Sequence, residues 1–89
     1  MRYKIIWTED AIADLTYLSP ELSYRISLKV AWIGAQSNPF YFAKKLTNAK
    51  VGTYRFRVGE YRVLFDVGSS GLISILHILR VKHRRDAYE

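Results

Sequence analysis

Residues 53–67, TYRFRVGEYRVLFDV, decide the fold of this 89-residue chain, because apolar and polar side chains alternate on both sides of a Gly-Glu pair. Alternation with a period of two is typical of a half-buried β-strand. A two-residue connection that begins with glycine favours a tight type II′ turn. The stretch therefore predicts two antiparallel strands, residues 53–58 and 61–67, joined by Gly59 and Glu60.

The length of this turn sets the register, which determines the side chains that meet across the hairpin. One face receives the apolar and aromatic side chains, and the other receives Arg55, Arg57 and Arg62. The register places Arg57 opposite Arg62, and like charges in that position cost up to about 1 kcal/mol. Neutralisation by Asp66 or Glu60 is one explanation of this face. Phosphate binding, which suits the planar guanidinium group, is the other.

A third strand is predicted over residues 72–81, LISILHILRV, which is mainly apolar on both faces apart from Ser74 and His77. Such a run is typical of a central strand that is covered on both sides. The preceding residues 68–71, GSSG, predict a four-residue turn. A regular ladder across that turn places Arg62 opposite His77, an arrangement that a β-bulge would change.

The first half of the chain has helical signals. Residues 2–8 read as a strand, and Thr8 is placed to cap a short first helix. Ser19, followed by proline and glutamate, predicts the start of a second helix that runs to about Gln36. Residues 40–51 are compatible with either a short third helix or an ordered loop.

These elements give one domain over residues 1–89. Its order is an N-terminal strand, an antiparallel helical hairpin and a three-stranded antiparallel meander. The predicted fold class is α+β, with one sheet and helices packed on one of its faces.

Charge is distributed unevenly along the sequence. Residues 1–43 hold four basic and four acidic residues, whereas residues 44–89 hold ten basic and four acidic ones. A one-sided basic field favours a polyanionic partner such as nucleic acid, although a generic basic surface is the alternative. Without cysteine, a long apolar segment or a signal-peptide pattern, we expect a cytoplasmic protein that binds no membrane.

The terminal residues 78–88, ILRVKHRRDAY, add a second basic segment to the hairpin. Together the two segments resemble the RelE/ParE toxins, in which an R-x-G-(D/E)-Y-R hairpin precedes a terminal H-R-R-(D/E)-x-Y segment. The resemblance implies a fold like that of RelE and the microbial ribonucleases. It also implies a toxin of a type II toxin–antitoxin system that causes growth arrest and is neutralised by a cognate antitoxin.

Within that superfamily, the RelE branch cleaves mRNA in the ribosomal A site, and the ParE branch inhibits DNA gyrase. The resemblance favours the endoribonuclease, with ribosome and mRNA as partners. A gyrase inhibitor and an inactive RNA- or antitoxin-binding relative remain the alternatives.

Attack of a ribose 2′-OH on the adjacent phosphate needs a base, cations for the phosphorane and an acid for the leaving oxygen. The resemblance assigns these tasks to Arg55, Arg62, His83, Arg84 and Tyr88. RNA-backbone contacts are expected from Lys45, Lys50, Arg57, Lys82 and Arg85. Arg55 stands where relatives often carry lysine, and an arginine is a poor base. The base is then His83, Tyr88 or a ribosomal group, or the protein has no efficient base. The sequence predicts no metal site and no cofactor.

Overall fold

The structure is a computed structural model that describes residues 3–46 and 54–86. Its elements in chain order are β1 (Lys4–Trp7), α1 (Glu9–Thr16), α2 (Pro20–Gly34), a 3₁₀ turn (Pro39–Phe42), β2 (Lys44–Lys45), β3 (Tyr54–Val58), β4 (Tyr61–Ser70), β5 (Ile73–His83) and a second 3₁₀ turn (Arg84–Asp86). The five strands form one sheet in the order β1-β5-β4-β3-β2. The α+β class is confirmed. The sheet is mixed, because β1 runs parallel to β5.

Both predicted helix starts are present. The Thr8 hydroxyl accepts a hydrogen bond from the Ala11 amide at 3.2 Å, and the Ser19 hydroxyl accepts one from the Leu22 amide at 3.2 Å. These side chains satisfy backbone donors that the first helical turn leaves unpaired. The second helix ends at Gly34, two residues earlier than predicted.

The hydrophobic core lies between the helices and one face of the sheet. Helix α2 contributes Ile26, Val30 and Ile33, which pack among buried side chains of β3, β4 and β5. Gly34 lets α2 approach β1, since a Cβ atom there would lie 2.7 Å from Ile5 Cδ1. The other face of β3 and β4 carries the arginines.

The segment that sequence left open as helix or loop begins with the 3₁₀ turn Pro39–Phe42 and continues into β2. Phe40 anchors the turn, with its ring 6.4 Å from that of Tyr3 and 4.9 Å from that of Tyr54. The short strand β2 was not predicted.

The second hairpin differs from the prediction. Strand β4 continues through Ser70 and β5 begins at Ile73, so the loop is Gly71-Leu72 and not the four residues GSSG. Gly71 has a φ of +63°, which suits a two-residue hairpin turn that follows the twist of the strands. Ser69 and Ser70 pair with β5 and so extend the ladder between β4 and β5.

A β-bulge also changes the register of this hairpin. Phe65 faces Ile78, but Leu64 faces Arg80, so Leu79 is an extra residue in β5. The displaced turn and the bulge together place Arg62 opposite Lys82, so the expected pairing of Arg62 with His77 is wrong; His77 faces Asp66.

Candidate nucleic-acid interface

The first hairpin has the predicted register. Val58 faces Tyr61 and Arg57 faces Arg62, with Gly59 in the turn at a φ of +60°. Apart from Leu64, the apolar side chains of the hairpin fall on the core face, as the alternation predicted.

Several cations lie on the opposite side of the sheet, and we call the surface formed by Arg55, Arg57, Arg62 and Lys82 the arginine face. Arg62 occupies its centre, with Arg57 beside it on β3 and Lys82 beside it on β5. Only 3% of Arg62 is exposed, whereas Arg57 is exposed to solvent. Two like-charged cross-strand pairs therefore meet at one residue, and each is unfavourable unless an anion lies between the side chains.

The arginine face is wider than predicted. Leu64 is buried between Arg55 and Arg80 and gives the face an apolar floor. Lys44 faces Arg55 and extends the basic surface onto β2. Lys45, which the sequence favoured as an RNA contact, instead faces Tyr54 and so points to the other side of the sheet.

Arg84 is tied to the turn of the first hairpin. Its backbone amide donates to the Glu60 carbonyl at 2.7 Å, and its Nε atom lies 2.8 Å from Glu60 Oε1. Glu60 thus binds the terminal segment, which removes it as the proposed counter-charge for Arg57 and Arg62. The two segments that carry the family resemblance are joined in space by this contact.

His83 lies on the other side of β5 from Lys82. It faces Tyr61, with ring centroids 5.2 Å apart in an edge-to-face arrangement. Its Nδ1 atom accepts a hydrogen bond of 3.3 Å from the amide of Arg85, whose side chain is exposed. His83 borders a cavity of about 360 Å³ together with Tyr17, Leu18 and Lys82. Strand alternation therefore separates this histidine from Arg62.

An ion pair that the sequence did not reveal lies beside this cavity. Asp14 of α1 binds Arg80 of β5 through two hydrogen bonds, each 2.9 Å long. Burial alone would raise the pKa of Asp14. The hydrogen bonds from Arg80 and the Val81 amide, with the nearby charges of Arg80 and Lys82, outweigh burial and lower the pKa. No spacing rule connects residues 66 positions apart in the chain.

A groove runs between α2 and the outer edge of β3. Its larger part, about 680 Å³, is lined by basic and apolar groups, among them Arg25, Leu28, Lys29, Trp32 and Arg57. Lys29 Nζ lies 4.8 Å from the Trp32 ring centroid. Strand β2 pairs only with Tyr54 and Arg55, so within the described residues the outer edge of β3 has no strand partner beyond Arg55.

Two predicted site residues, Lys50 and Tyr88, lie outside the described residues. Within residues 3–46 and 54–86, no group of three or more His, Cys, Asp or Glu side chains is arranged to hold a metal ion. No helix in this part of the chain is long and apolar enough to cross a membrane.

Comparison with known proteins agrees with the geometry. The sequence profile of the ParE toxin of type II toxin–antitoxin system, parDE, matches residues 5–88. Toxin RelG of Mycobacterium tuberculosis is 31% identical over 88 residues, which cover 99% of this chain and 98% of RelG.

Solved structures give the same result. The toxin–antitoxin complex RelBE2 from Mycobacterium tuberculosis contains a chain that matches 94% of this one over its full length, with a TM-score of 0.75 and 28% identity. The archaeal RelE–RelB complex from Pyrococcus horikoshii matches 98% of this chain at a TM-score of 0.67 and 22% identity, which shows the shared fold. The chain belongs to the ParE toxin family, within the RelE/ParE superfamily of type II toxin–antitoxin toxins.

Proposed function

We propose that this toxin is a ribosome-dependent endoribonuclease that cleaves mRNA in the A site by attack of a 2′-OH on the adjacent phosphate. The observation that carries the proposal is the arginine face. Arg57 on β3 and Lys82 on β5 lie directly opposite Arg62 on β4, so a phosphorane placed there would receive positive charge from three strands. The similarity to RelG and to the RelBE2 complex supports the same branch.

In this proposal each cation has a role set by its position. Arg62, central and nearly buried, holds the scissile phosphate, because a guanidinium in a desolvated setting binds phosphate oxygens strongly. Arg57 and Lys82 stabilise the charge that develops in the transition state. Arg55 and Lys44 continue the positive surface along the RNA backbone. Arg84, which Glu60 orients, stabilises the leaving 5′-oxygen.

His83 lies on the opposite face of β5 from Lys82, so the proposal does not use it as the base. The proton acceptor for the 2′-OH is then Tyr88 or a group of the ribosome. An enzyme that supplies cations and leaves part of the acid–base chemistry to the ribosome would be inactive on free mRNA.

The test is translation of a defined mRNA by purified ribosomes, with primer extension to map cleavage. Wild type, Arg62→Gln and the matched control Lys45→Thr are compared, after circular dichroism shows that each is folded. We expect cuts within codons that require both ribosomes and Arg62 and that persist in Lys45→Thr. Intact mRNA with the wild-type protein would refute the proposal.

A gyrase inhibitor is the second candidate, and the match to the ParE toxin profile favours it. Supercoiling by purified gyrase separates the two functions. Inhibition of supercoiling together with intact mRNA would assign the chain to the gyrase-inhibiting branch. If the protein neither cleaves mRNA nor inhibits supercoiling, it is an inactive antitoxin-binding relative.

We further propose that a cognate antitoxin is the protein partner, since the structural relatives were solved as toxin–antitoxin complexes. The groove between α2 and β3 supports this partner. Its edge accepts an extended segment through backbone hydrogen bonds, and its basic rim and apolar floor suit acidic and apolar side chains. Trp32→Ala should weaken antitoxin binding in calorimetry, while the exposed Tyr24→Ala on the same helix should not.

A further inference from the structure

The bulge in β5 determines the face on which the basic terminal segment begins. With the extra residue Leu79, Lys82 faces Arg62 and Val81 joins the core at 5% exposure. In a ladder without the bulge, Arg62 would face Val81. Lys82 would then face Tyr61, on the core side, because a one-residue shift moves each side chain to the opposite face. A single unpaired residue therefore completes the arginine face.

The bulge lies where β5 loses its outer neighbour. Strand β1 ends at Trp7, opposite Ile78, and β5 continues for five more residues. Beyond this point, the side chains of Thr8 and Asp14 form hydrogen bonds with the backbone of β5 in place of a neighbouring strand. The Thr8 hydroxyl donates to the carbonyls of Ile78 at 2.9 Å and Leu79 at 3.1 Å.

Asp14 holds the residues directly after Leu79. Its Oδ2 atom accepts a 2.8 Å hydrogen bond from the Val81 amide, and the same carboxylate binds Arg80 through both Nε and Nη2. The Asp14 side chain is only 15% exposed and that of Arg80 is 33% exposed. The carboxylate thus fixes both the backbone and the side chain that follow the extra residue, and it does so from a helix outside the sheet.

We infer that Asp14 is a positioning residue that keeps β5 in its bulged register and thereby presents Lys82 to the phosphate on the arginine face. The inference rests on the proposed function for the identity of the phosphate. The register itself does not depend on any RNA. Asp14 touches no reacting atom, and its effect reaches the site through Val81 and Lys82.

The test compares Asp14→Ala with Asp10→Ala, an exposed acid on the same helix. Both variants gain the same positive charge, which by long-range attraction alone strengthens RNA binding. Affinity is measured by fluorescence anisotropy with a short RNA that is 2′-O-methylated at every position. Cross-strand NOEs between the backbones of Arg62 and Lys82 report the register. Asp14→Leu, which also removes the acceptor for the Val81 amide but keeps the side-chain volume, serves if the alanine variant does not fold.

We expect Asp14→Ala to bind the RNA about tenfold or more weakly despite its added charge, as misplacement of a site residue does. Its Arg62–Lys82 NOEs should be lost. Asp10→Ala should keep both the NOEs and the affinity. An unchanged register in Asp14→Ala overturns the inference, whatever the RNA affinity. Failure of the wild-type protein to bind the RNA would instead count against the proposed function, and the NOEs alone would then decide on Asp14.

Discussion

Replacement of Arg57 by threonine should make the protein more stable while it weakens RNA binding. Arg57 is exposed on β3 and lies directly opposite Arg62. Like charges in this position destabilise a strand pair by a few tenths to about 1 kcal/mol. We therefore expect the free energy of unfolding to rise by about 0.5 kcal/mol. For a domain of this size, that gain corresponds to an increase of about 2–4 °C in melting temperature.

The matched control is Lys45→Thr. It removes one positive charge from an exposed strand position, but Lys45 faces Tyr54 and not a cation. Thermal unfolding followed by circular dichroism should show a higher melting temperature for Arg57→Thr than for Lys45→Thr. The difference should shrink as salt is added, because ions screen the repulsion at the sheet surface.

RNA binding should change in the opposite direction. Log affinity falls as log salt rises. If Arg57 contacts one phosphate, its loss should make this fall shallower by about 0.7, the value per contact for single-stranded nucleic acid. Lys45→Thr should leave the slope unchanged. A melting temperature for Arg57→Thr equal to or below that of Lys45→Thr would refute the argument that the arginine face is maintained at the expense of stability.

Three further predictions each concern a single residue. Asp14→Asn should lower the free energy of unfolding at neutral pH by about 1–2 kcal/mol. The folded pKa of Asp14 lies below its ordinary value. The difference in free energy of unfolding between wild type and Asp14→Asn should therefore be largest above about pH 4 and disappear as the pH falls through the folded pKa. Gly71→Ala should cost about 1 kcal/mol in urea denaturation because φ is positive, and Gly71→Asn should cost less. Glu60→Gln breaks an exposed ion pair with Arg84, so melting should shift little while mRNA cleavage falls.

The first hairpin could be predicted from sequence because its determinants are local. A two-residue turn at Gly59 and the alternation on both sides of it, broken at Leu64, leave one register in which the other apolar side chains share a face. The grouping of Arg55, Arg57 and Arg62 followed directly from that register. Helix starts were equally local, since Thr8 and Ser19 cap the turns that they precede.

The second hairpin was mispredicted because its register depends on contacts far away in sequence. The GSSG run resembles a turn, yet its serines continue β4, and the turn begins at Gly71. The bulge at Leu79 is stabilised by Thr8 and Asp14, which are more than 60 residues distant. Sequence periodicity contains no information on such contacts. Which of Lys82 and His83 shares the face of Arg62 could therefore not be derived.

The most direct test of the proposed chemistry uses an mRNA in which one ribose, at a mapped cleavage position, lacks its 2′-OH. The substituted mRNA and the unmodified mRNA are incubated with ribosomes and wild-type protein, and the fragment ends are identified by mass spectrometry. We predict cleavage of the unmodified mRNA with a 2′,3′-cyclic phosphate on the upstream fragment, and none at the deoxy position. Cleavage at the deoxy position would contradict attack by the 2′-OH on a phosphate held at the arginine face.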